Sequence, residues 1–124
     1  MHLCLIHIII YSLFKAGAVH IFLSSRIYTT TSDIVIHSKV PAAYEHFGSA
    51  LEYSSRSEIL LVGAPGFSSD QIQSMGCMYV FKVQPQVTLA WIMRGSSKFQ
   101  QFGSKILLDE SKHLVAVSSP SEVS

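Results

Sequence analysis

Charge is scarce in this sequence. Of its 124 residues only 14% are Asp, Glu, Lys or Arg, nine basic against eight acidic, and no stretch gathers the Lys and Arg into a cluster. A net charge of +1 without a basic patch offers nothing to track a phosphate backbone, which argues against nucleic acid or an anionic membrane surface as a partner. Asparagine is absent altogether, so no N-glycosylation sequon exists. Cysteine is nearly absent too: Cys4 and Cys77 form neither a CxxC pair nor a zinc-ligand spacing. A disulfide and two free thiols are equally open, and the redox compartment is not decided.

Catalytic signatures are missing as well. His2, His7, His20, His37, His46 and His113 are scattered, with no His-Glu-x-x-His and no acidic residue at ligand spacing. Serine is plentiful, yet no Gly-x-Ser-x-Gly elbow anchors a hydrolase triad. No catalytic, cofactor-binding or metal-ligating residue is nominated. His20 and His37 sit in strand patterns and read as packed or edge residues.

Apolar residues, in contrast, make up 48% of the chain, enough to build a core. The first fourteen, Met1 to Phe14, are nearly all apolar and uncharged, too few to span a bilayer as a helix. A signal peptide is one reading, with small residues at Ala16-Gly17-Ala18 but no basic start. Cleavage after Ala18 would remove part of a strand assigned below, so residues 1–16 read better as an apolar leader on a truncated chain.

Everything after that stretch reads as β. Phe47 to Tyr53 alternates as a strand, and Ser54-Ser55-Arg56-Ser57 supplies a tight connection. Ile59 to Val62 is a short apolar run of the kind buried on both faces, stopped by Pro65, which cannot donate to a ladder. After the polar loop Ser68 to Met75, Gly76 to Phe81 reads as a third strand. Pro85 interrupts, and Val87 to Met93 reads as a fourth. No segment combines helical periodicity with caps.

The pattern recurs. Phe102-Gly103 follows Phe47-Gly48 by 102 − 47 = 55 residues, and Pro120 follows Pro65 by 120 − 65 = 55. Gly17 to Phe22 matches Gly76 to Phe81 at 76 − 17 = 59. Self-similarity at a fixed period is the mark of solenoids and propellers. The sequence therefore predicts the second half of one unit over 17–40, a whole unit over 41–95 and the first half of another over 96–124. Gly48, Gly103, Gly63 and Ala64 are expected where backbones approach closely, Phe47 and Phe102 as anchors between neighbouring sheets, and Gly76 as a further position of the repeat motif. In the last unit Ser118-Ser119 stands where Gly63-Ala64 does, still small.

Phe-Gly, then Leu60-Leu61-Val62-Gly63-Ala64-Pro65-Gly66, then Gly-x-x-Tyr-Val-Phe resembles the FG-GAP repeat of integrin α-chain propellers and of glycosylphosphatidylinositol-specific phospholipases D. The resemblance covers about Gly17 to Pro120 and implies four-stranded blades of a β-propeller. Many repeats of that family carry an Asp-x-Asp-x-Asp-Gly calcium loop. The corresponding stretches here, Glu52 to Glu58 and Leu108 to His113, lack its glycine and carboxylate spacing and carry a cation in the middle, so no calcium is expected at either. That absence, with Trp91-Ile92-Met93-Arg94-Gly95 leading through Phe99 to Phe102, resembles the phospholipase propeller more than the integrin one. The implied role is a non-catalytic scaffold segment of a secreted protein that hydrolyses glycosylphosphatidylinositol (GPI) anchors by a separate zinc-dependent, histidine-rich domain. The implied partners are the remaining blades, GPI-anchored proteins and lipoprotein. The alternatives are an integrin-like adhesive propeller and a truncated gene-model product without independent function.

Overall fold

The computed structural model describes residues 6–11, 18–23, 34–37, 45–54, 56–83, 86–112 and 114–119. Among these the chain is all β, with nine strands and no helix. Three antiparallel sheets follow one another along the sequence, each a simple meander. The first joins β1 (Ile6–Tyr11), β2 (Ala18–Leu23) and β3 (Ile34–His37) in that order. The second joins β4 (Ala50–Ser54), β5 (Ile59–Ala64), β6 (Cys77–Lys82) and β7 (Thr88–Arg94). The third is the hairpin of β8 (Ile106–Asp109) and β9 (Leu114–Val117).

The whole unit expected over 41–95 thus contains the four predicted strands, with ends shifted by a few residues. Pro65 sits in the turn that closes β5, and Gly76 precedes β6 as an isolated bridge partner of Phe102. β5 is buried almost throughout because sheets cover both its faces, whereas β7 at the edge alternates between half-buried and exposed. Ala90 is an extra residue on β7 opposite the shift between Val80 and Phe81, a β-bulge of the kind common at sheet edges.

The flanks differ from the sequence reading in one respect. Residues 1–16, read as a leader, contribute β1, whose six residues pair with β2 from Ile6↔Leu23 to Tyr11↔Ala18. The first sheet therefore has three strands rather than the two expected over 17–40. An apolar run with no internal Gly or Pro looks the same as a leader or as a strand until a partner strand is available to pair with it.

Two apolar layers hold the three sheets together. Val19, Ile21 and Ile36 of the first sheet join Phe47, Leu60, Val62, Cys77, Tyr79 and Phe81 in one buried cluster. Alternate residues of the second sheet, Leu61 and Met78, turn to the other face and join Ile106 of the third. Each sheet is stacked on the next, face to face, like successive leaves.

Candidate functional site

The fold brings several of the repeat positions expected from the sequence to one seam. Phe47 is buried at the centre of the first apolar layer, edge-on to Tyr79 at 5.0 Å and to Phe81 at 6.3 Å between ring centroids. Phe102 is half-buried against the second layer. Gly48 and Gly103 share the same backbone geometry, φ of 94° in both, which side-chain-bearing residues rarely adopt. Each donates its N–H across its own first hairpin, to the end of the second strand: Gly48 to Gly63 O at 3.0 Å, Gly103 to Ser118 O at 3.1 Å. Gly63 lies against the Gly103 carbonyl, Gly103 against the Cys77 carbonyl and Gly76 against Phe102, with no room for a Cβ at any of the three. Ala64 is fully buried and Pro65 half-buried. Pro120 lies outside the described residues.

The period of 55 extends to details that the sequence pattern does not display. β8–β9 has the register of β4–β5: Leu51↔Val62 becomes Ile106↔Val117, and Ser54↔Ile59 becomes Asp109↔Leu114. Ser57 N donates to Ser54 Oγ at 3.1 Å, and at 57 + 55 = 112 Lys112 N donates to Asp109 Oδ1 at 3.3 Å. His46 and Gln101, also 55 apart, both have positive φ, and their carbonyls accept from Ser49 Oγ and Ser104 Oγ at 2.7 Å each. These serve as side-chain caps on the turns. The described residues of the two stretches considered for calcium thus belong to hydrogen-bonded hairpins. Ser54 Oγ also donates to Glu110 Oε1 at 2.7 Å, tying one turn to the other across the stack. Asp109 is held below the ordinary carboxylate range, chiefly by the Ser111 hydroxyl. Among the described residues no three His, Cys, Asp or Glu side chains come together in a way that could hold a metal ion.

Two features were not visible in the sequence. One is a buried polar pair. Glu45 is 1% exposed, and the Tyr79 hydroxyl donates to its Oε2 at 3.0 Å. Beside it the Cys77 thiol is pushed up to about 12, first by burial and further by the Glu45 charge, so it is an inert neutral group in the core. The repeat carried the only hint of this position: 45 + 55 = 100, and Gln100 is likewise buried, accepting from Ser96 N and Ser97 N while donating to Ser119 Oγ.

The other feature is an apolar groove of ≈ 510 Å³ between the second and third sheets. Leu61, Met78, Val80, Trp91 and Met93 line it from the second sheet, and Val115 and Val117 of β9 from the third. Trp91 is 66% and Met93 43% exposed. Its chemistry is that of an uncovered packing face; Ser54, Arg56, Ser57 and Glu110 form its polar edge. No helix among the described residues is long and apolar enough to cross a membrane. No family model and no curated protein matches the chain.

Proposed function

We propose that this segment is a non-catalytic run of FG-GAP β-propeller blades, the scaffold of a GPI-specific phospholipase D-like protein. The observation that carries this reading is the 55-residue repeat of geometry: common register, common turn caps and two glycines with the same φ of 94°. A repeat that fixes backbone approach and turn closure selects for stacking, because each sheet covers only one face of its neighbour and no unit is complete alone. The phospholipase-like side of the family is supported by the sequence of residues 52–58 and 108–113, which lacks the glycine and carboxylate spacing of the calcium loop. The parent activity, hydrolysis of GPI anchors, belongs in this reading to another part of the protein.

Two measurements test it. Incubated with zinc and a GPI-anchored protein, this chain releases nothing; zinc-dependent release would overturn the non-catalytic role. Sequencing of the full transcript is expected to reveal a histidine-rich domain upstream. A transmembrane helix downstream in its place would move the segment to an integrin-like receptor.

A further inference from the structure

The outer edge of the second sheet is an open row of backbone donors and acceptors. β7 ends the order β4-β5-β6-β7, and no described residue pairs with its far side. The sheets of this chain stack face to face, so a further sheet would cover a face of β7 and leave its edge as it is. Natural sheets blunt such an edge with a short strand, a lysine, a proline or a bulge. β7 has only the bulge, at Ala90. It is the longest of the described strands, and between Thr88 and Arg94 it carries neither a charge nor a proline.

A second copy of β7 is a chemically matched partner for this edge. Two copies pairing antiparallel are related by a two-fold axis perpendicular to the sheet, and opposed residues must project from the same face. Trp91 and Met93 turn toward the groove, whereas Ile92 turns to the opposite layer. A ladder centred on Ile92 satisfies this. It sets Trp91 against the second copy's Met93, Met93 against the second copy's Trp91, and Ile92 against its own counterpart. Opposed side chains in a ladder are close enough to touch, and a thioether against an aromatic ring is a favourable pair. The same register sends the two Arg94 side chains to opposite ends. A ladder centred on Arg94 would oppose like charges, and one centred on Met93 would set Arg94 against Ile92. One centred on Trp91 would run through the bulge. The net charge of +1 brings little repulsion between copies.

We infer that β7 pairs with β7 of a second copy, in an antiparallel ladder centred on Ile92 that joins the two second sheets edge to edge. Main-chain hydrogen bonds hold the strands together, and the two Trp91–Met93 pairs fix the register.

Sedimentation of the full chain at rising concentration is expected to show its mass climb to twice that of the monomer. Cysteine trapping reads the register, because the Cα atoms of opposed residues lie within disulfide reach. In a Cys4→Ser background, Ile92→Cys is expected to link to its own counterpart. Trp91→Cys is expected to link to Met93→Cys when the two chains are mixed, and severalfold less to itself. Cys77 is buried and stays out of the reaction. Trp91 and Met93 are exposed in the chain alone, so charges there leave its core intact. The double variants Trp91→Lys/Met93→Lys and Trp91→Glu/Met93→Glu are each expected to stay monomeric alone and to pair when mixed. A chain that remains monomeric at every concentration overturns the inference. Self-association that leaves Ile92→Cys unlinked overturns it too. So does linking of Trp91→Cys to Val115→Cys, in separate chains, as readily as to Met93→Cys, because the copies would then meet through the groove instead of the edge.

Discussion

Phe47 lies in the layer between the first two sheets and meets two aromatic rings edge-on. Phe47→Ala is expected to cost about 3–5 kcal/mol, the range for emptying a buried aromatic site, read as a lower denaturant midpoint. Tyr79→Phe keeps the ring but removes the hydroxyl that bonds Glu45; the expected loss is about 1–3 kcal/mol, set by the desolvated carboxylate left behind. Cys77 gives a pH signature. Its thiol is raised from 9.0 in an open environment to about 12 in the fold. Below 9 the stabilisation from keeping it neutral is fully present. As pH climbs toward 12 the unfolded thiol ionises while the folded one does not, and stability falls. At about 1.4 kcal/mol per pH decade, the loss across the window is about 4 kcal/mol. Denaturation curves at rising pH check this: Cys77→Ala is expected to flatten the alkaline decline relative to the parent chain.

At the scale of elements, the seams between sheets depend on backbone approach. Gly103 combines a φ of 94° with the Cys77 carbonyl where a Cβ would stand. Gly103→Ala is therefore expected to destabilise the chain by about 1–3 kcal/mol or more through strain alone, read by thermal melting. The effect should center on the β8–β9 hairpin, whose start Gly103 fixes through Ser118. The hairpin turn adds its own dependence on pH. Asp109 has a lowered pKa, so its caps on Ser111 and Lys112 are complete above the ordinary Asp value and fail as pH drops through the lowered one. The protection factor of the Lys112 amide, its exchange rate relative to the intrinsic rate at the same pH, is expected to fall in acid in the parent chain and at neutral pH in Asp109→Ala. The strands β4 to β7 were legible because Pro65, Gly76 and Pro85 punctuate them. β1 was not, because nothing inside Ile6–Tyr11 separates a strand from any other apolar run.

At the scale of the molecule, stability is uneven. Among the described residues, β5 and β6 are sandwiched between two neighbouring sheets, while β8 and β9 have one, with Leu107, Leu114 and Val115 exposed. Native-state hydrogen exchange is expected to find the slowest amides in β5–β6, opening only with global unfolding, and markedly faster ones in β8–β9. Uniform protection across both sheets would contradict the layered account. The groove belongs to this scale as well. Trp91 sits in an ordinary strand pattern, and alternation assigns it a face, but whether that face is wet depends on how much of it the next sheet covers.

The chain's own letters determined the all-β character, the positions of most strands and the period of 55, since each follows from local chemistry: alternation, proline and glycine punctuation, and small residues at fixed offsets. The buried Glu45–Tyr79 pair, the inert Cys77 and the open groove beside Trp91 were decided only by tertiary structure. A strand sends alternate residues to two faces, and the sequence of that strand does not say which sheet, if any, covers each one.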